Sequence, residues 1–123
     1  MVKEATAEVL VVWIAFNEPK VLAYLRANGE VYTVRHYPAA EPYVRPVRRY
    51  RELTGESVRL ETIAQATEGG EVVTAALEAV VGASGFGAVQ EWKDAITRQH
   101  ATHIRDGKQL WLLRATLLAS QHA

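Results

Sequence analysis

Thr33 and Arg35 are the residues whose types and spacing best fit chemistry. In the stretch Asn28-Gly29-Glu30-Val31-Tyr32-Thr33-Val34-Arg35-His36-Tyr37, β-branched and aromatic residues follow a Gly that tolerates the left-handed end of a helix. Period-2 alternation places Val31, Thr33, Arg35 and Tyr37 on one face of a strand and Tyr32, Val34 and His36 on the other. One face can feed a core while the Thr33 and Arg35 face offers a hydroxyl and a forked set of donors to a phosphate or a base edge. The competing use of Arg35 is a salt bridge to an acid such as Glu91 or Glu30.

A second basic feature follows. Between Arg35 and Arg51 stand five arginines (Arg35, Arg45, Arg48, Arg49 and Arg51) against the single acid Glu41. Interleaved with Tyr43 and Tyr50, they have the composition of a surface that tracks a nucleic-acid backbone and stacks bases. The plainer use is an edge strand whose charges discourage aggregation. Glu91 can orient a ligand or act as a base, and it can equally stabilise the first turn of a helix. Trp13, Trp92 and Trp111 read as core, and of these only Trp92, next to the Gly85-Phe86 joint, is also a candidate to line a pocket, together with Phe86. His100 and His103 have metal-ligand spacing but lack a visible third ligand, so no metal and no cofactor are expected.

The elements that must hold these residues can be taken in order. Glu8 to Phe16 reads as a strand with both faces buried. Asn17-Glu18-Pro19 starts a helix, capped by Asn17, with Val21, Leu22 and Leu25 as its apolar stripe and Gly29 at its end. After the strand at Val31 to Tyr37 and a loop over 38–42, Tyr43 to Glu52 suits an edge strand or an extended segment better than a central strand, because Pro46 lies inside it. Leu53-Thr54-Gly55-Glu56 reads as a turn, and Ser57 to Thr67 as a strand that completes a hairpin. Glu68-Gly69-Gly70 breaks the chain. The apolar positions from Val72 to Val81 then predict a helix, Gly82 to Gly87 a joint close to the sheet, and Val89, Trp92 and Ile96 a further helix. Asp106-Gly107 turns into a last strand, Leu110 to Leu118.

The whole of 1–123 reads as one domain, α+β, with 49% hydrophobic and 23% charged residues. Fourteen basic residues balance fourteen acidic ones, so net charge selects no partner. The absence of cysteine removes disulfides and thiolate chemistry. The longest apolar run, Val9 to Phe16, is far shorter than the roughly 20 residues of a membrane helix. A cytoplasmic protein without a membrane partner is the simplest expectation, and its edge strands leave a homodimer open.

Three strings, in this order, resemble the ASCH domain of the PUA-like superfamily: Gly29 to Arg35, Gly55-Glu56-Ser57-Val58, and Gly85-Phe86-Gly87-Ala88-Val89-Gln90-Glu91-Trp92. The resemblance implies a small β-barrel of five to six strands with two or three inserted helices. It also implies a cleft beside the Thr33 and Arg35 strand that binds RNA or a nucleotide, with the arginine strip adjacent. One branch of the family resembles amidohydrolases that act on acylated nucleosides through a Lys, a Thr and a Glu. Thr33 and Glu91 match two of these. Glu30 and Val31 stand where the lysine is expected, leaving Lys93 or Lys20 to reach the pocket from elsewhere.

Overall fold

The computed structural model describes residues 12–118. In chain order they form β1 (Ile14–Ala15), α1 (Pro19–Asn28), β2 (Glu30–Arg35), β3 (Val44–Arg49), β4 (Glu52–Gln65), β5 (Thr67–Glu68), β6 (Glu71–Val72), α2 (Thr74–Glu78), a 3-10 turn (Val81–Ala83), α3 (Val89–Gln99), α4 (Ala101–Arg105) and β7 (Trp111–Leu117). Five strands make a mixed sheet in the order β1-β3-β4-β7-β2, and β5 and β6 form a separate small hairpin. The long sheet curls into a half-barrel, giving an α+β architecture. Among the described residues no helix is long and apolar enough to cross a membrane.

Local chemistry explains the first half of the chain. Pro19 opens α1, where its missing N–H costs nothing. Gly29 closes the helix at φ 83°, its N–H donating to the Leu25 carbonyl at 2.8 Å. Val21, Leu22 and Leu25 are buried against Ile14, Phe16, Val31, Val47, Val58, Leu60 and Ala115, each side chain contributing about 1.5–3 kcal/mol by leaving water. Asn17 does not cap this helix. Its Oδ1 instead accepts from the Tyr50 N–H at 2.6 Å, and Glu18 occupies the cap position without a side-chain bond.

β2 pairs antiparallel with β7, with Val31 opposite Ala115 and Thr33 opposite Leu113. Both of its faces are buried, which differs from the expectation of one core face and one functional face. Val31 enters the core under α1, while Val34 joins a second apolar cluster with Ala66, Leu77, Trp92, Ile96, Leu110 and Leu112. The helices that follow β6 therefore cover the outer side of β2 and β7.

Several boundaries also differ from the sequence expectation. β3 is not an edge strand: β1 pairs with it in parallel on one side and β4 antiparallel on the other. Pro46 is accommodated at an irregularity in that ladder, between Pro46 and Arg48. Leu53 to Glu56 is not a turn but part of β4. The reversal lies earlier, at Tyr50, whose φ is 56°. Gly69 and Gly70, both with positive φ, form the tight turn of the β5–β6 hairpin. The helix expected from Val72 to Val81 is confined to Thr74–Glu78 plus the 3-10 turn.

Trp13 is not core: 46% of it is exposed, and Arg48 lies over its ring at 4.2 Å. Trp111 is half-buried. Of the strand expected at Glu8 to Phe16, Ile14 and Ala15 are strand and residues before 12 lie outside the described residues.

Candidate functional site

Among the described residues β1 and β2 are the two edges of the curled sheet, and no backbone ladder joins them. Arg35, the last residue of β2, spans the gap. Its Nη1 donates to the Ala15 carbonyl at 2.7 Å, its Nε donates to Thr33 Oγ1 at 3.2 Å, and its guanidinium lies 4.8 Å from the centre of the Phe16 ring. These contacts close the open side of the half-barrel through one side chain. Burial pushes the Arg35 guanidinium below arginine's ordinary value, with Tyr37 partly opposing the shift.

Beside this bridge lies a cavity of about 280 Å³. Thr33 and Arg35 form one wall, Phe16 and Asn17 another, and Phe86, Trp92, Gln99 and His100 face them from the helical side. The Phe86 and Trp92 rings are near parallel, 6.1 Å apart with an interplanar angle of 13°. Gly85 makes this arrangement possible. Its φ is 89°, and a Cβ there would sit 2.9 Å from the Lys20 carbonyl oxygen and 3.0 Å from Val21 Cα. Only glycine lets the 84–87 segment lie this close to α1 and deliver Phe86 to the cavity.

Thr33, Arg35, Phe86 and Trp92, all singled out from the sequence, thus meet in one place. Glu91 stands next to them in the chain but is committed to scaffolding. It accepts from the Gly87 N–H at 2.9 Å across the start of α3 and forms an ion pair with Lys20. That pair draws the Glu91 carboxyl below, and the Lys20 ammonium above, their ordinary values. The salt bridge considered between Arg35 and Glu91 is therefore not made. Among the described residues no carboxylate forms an ion pair with Arg35. A cationic fork that lines a cavity without an anion is a ready acceptor site for one.

The arginine strip does not converge as a unit. Arg45, 7% exposed, donates to the carbonyls of Pro42 and Ala40 at 3.0 and 3.2 Å and pins the loop over 38–42. Arg48 donates to the Arg51 carbonyl at 2.8 Å. Tyr43 lines a shallower depression of about 640 Å³ with Arg59, Glu61 and Arg114. Arg49 and Arg51 are exposed. Through the Asn17 bond to the Tyr50 N–H, the 49–51 turn adjoins the cavity wall.

Asn17, Gln99 and His100 are cavity residues that sequence reasoning did not place. Only His100 carried a signal, its spacing to His103. Compared with known family models, curated proteins and solved structures, the chain matches none.

Proposed function

We propose that the chain is an RNA- or nucleotide-binding module of the PUA-like, ASCH type. The cavity beside Thr33 and Arg35 would hold a base or nucleoside, and the 49–51 turn would carry the adjoining phosphates. The observation that carries this reading is the Arg35 guanidinium, without a carboxylate partner among the described residues, in a cavity walled by two near-parallel aromatic rings. At about 280 Å³ the space lies near the lower bound of small-ligand pockets, roughly 300 Å³, which favours one nucleoside over a folded RNA element. The helix–Gly29–strand connection, the Gly85-Phe86 joint and the curled sheet all agree with the family resemblance. Its Gly55 string does not act as a turn here.

The amidohydrolase alternative retains one supporting contact, since Lys20 stands against Glu91. Pairing holds that lysine charged, however, and the side chain that bonds Thr33 Oγ1 is a cation rather than a base. Binding is the better-supported role.

Isothermal titration at low salt, with nucleoside 5′-monophosphates and a short single-stranded RNA, tests the proposal. Arg35→Gln removes a charge-assisted bond of about 1.5–3 kcal/mol, so affinity should fall about tenfold or more. Gln99→Trp, at an exposed position lining the cavity, should block binding without entering the core. Absence of binding, or affinity indifferent to both variants, overturns the reading. Turnover of acylated nucleosides abolished by Thr33→Ala would replace it with the enzyme.

A further inference from the structure

We propose that His36, His100 and His103 form a binding site for a divalent transition-metal ion of the Zn²⁺ class. The sequence offered only the His100 and His103 pair. The fold supplies the third imidazole: β2 ends at Arg35, which pairs with Trp111 at the start of β7, and the α3–α4 junction at His100 packs over that end of the sheet. One nitrogen from each of the three rings lies within 4.8 Å of the others.

Imidazole nitrogens suit Zn²⁺, Cu²⁺ and Ni²⁺, and three histidines with one open position form a common zinc arrangement. Zn–N bonds of about 2.0–2.1 Å in a tetrahedron separate the ligand atoms by about 3.4 Å. The cluster therefore needs to tighten by up to about 1.4 Å, and the stacked rings of His36 and His103 must also turn so that their in-plane lone pairs converge. His36 is exposed and lies just beyond the end of β2, so its ring can make that turn.

A second observation points the same way. Nδ1 of His100 and Nδ1 of His103 are both buried without a hydrogen-bond partner among the described residues. Buried polar atoms are rarely left unpaired without a reason, and an ion is one such reason. Packing alone accounts for the faces of the rings, since His36 and His103 stack at 4.2 Å and 10°. It does not satisfy the two nitrogens.

The surroundings define what completes the shell. Among the described residues no carboxylate belongs to the cluster, and Arg35 and Lys108 add positive potential at His36. A dication held by three neutral ligands in that field selects an anionic fourth ligand, such as hydroxide or a phosphate oxygen. His100 also lines the cavity, so this fourth position adjoins it.

The test uses the full chain, free of any histidine tag and stripped with chelator, titrated with ZnCl₂ in the absence of nucleotide. Its outcome is thus separate from that of nucleotide binding. One ion per chain is expected, with His36→Gln and His103→Gln each weakening affinity about tenfold or more. His122→Gln, outside the described residues, should leave affinity unchanged. Because His36 is exposed, its variant should melt as the parent does, so loss of binding there is not loss of fold. Ring ¹⁵N shifts at all three histidines on adding Zn²⁺ would support the site. Absence of binding, affinity unaffected by His36→Gln, or affinity lost instead in His122→Gln overturns it.

Discussion

Replacing Arg35 with methionine tests whether one side chain closes the half-barrel. The substitution keeps an unbranched apolar stem against Phe16 and deletes the guanidinium. Three contacts disappear: the bond to the Ala15 carbonyl at 2.7 Å, the bond to Thr33 Oγ1 at 3.2 Å, and the cation over the Phe16 ring at 4.8 Å. A hydrogen bond from a charged donor is worth about 1.5–3 kcal/mol and a partly desolvated cation–π contact about 0.5–2 kcal/mol. Against this stands the desolvation of the guanidinium, visible in the direction of its pKa shift, which methionine relieves. The difference is a net loss of about 1–2 kcal/mol, of which a large share is the Ala15 carbonyl left without its partner. For a domain of this size that is a fall in Tm of about 4–10 °C.

Urea unfolding should show a lower midpoint with an unchanged slope. Native-state amide exchange should show faster exchange at Phe16, whose N–H donates to the Arg48 carbonyl at 2.8 Å beside the bridge. Unchanged stability together with unchanged exchange at Phe16 would refute the closing role. Arg35 would then be a cavity residue alone.

Gly55→Ala and Gly85→Ala make a matched pair, since both positions have φ 89° but only at Gly85 would the added methyl lie within 3.0 Å of backbone atoms. Both should lose about 1 kcal/mol to backbone strain, and Gly85→Ala about 1–2 kcal/mol more, read as the difference in thermal midpoints. Arg26 and Glu56 form a bidentate pair at 2.8–3.1 Å between α1 and β4. With side chains 48% and 25% exposed, a double-mutant cycle should give about 0.5–1 kcal/mol of coupling. Because the pair holds the Glu56 carboxyl below the ordinary 4.5, this stability is present above that pH. It is lost as pH falls below 4.5 through the folded-state value, which urea midpoints across that range will show. If the 49–51 turn carries phosphates, the double variant Arg49→Ala and Arg51→Ala should lower the slope of log affinity for single-stranded RNA against log salt by about 1.4, while leaving mononucleotide binding unchanged.

What was legible in the sequence was local. The stripe of α1 at Val21, Leu22 and Leu25 and its end at Gly29 each depend on residues within one or two turns and lie where the pattern placed them, while its start falls one residue later than an Asn17 cap implies, with Glu18 at the cap and Pro19 first. Thr33, Arg35, Phe86 and Trp92 were visible for the same reason, as short strings. The misreadings share the opposite cause. Gly55 signals a positive φ, which a strand as well as a turn can use, and the true reversal at Tyr50 is held by a bond from Asn17, remote in sequence. Arg45 reads as a free cation until the carbonyls of Ala40 and Pro42 close around it.

The site itself exists only where the two sheet edges and α3 meet, which is a property of the curl rather than of any string. A side chain that bridges those edges must lie in the space between them. Arg35 therefore cannot be made a structural residue or a binding residue by choice of assay, because the bond to Ala15 that closes the sheet also fixes where the rest of the guanidinium faces the cavity. The His36 position follows from the same constraint, one residue further along the strand. Holding Arg35 against β1 sets the end of β2, and the end of β2 sets the distance from His36 to His100 and His103. A substitution that released Arg35 would loosen the cavity and the histidine cluster together, while one at His36 would leave the cavity wall intact.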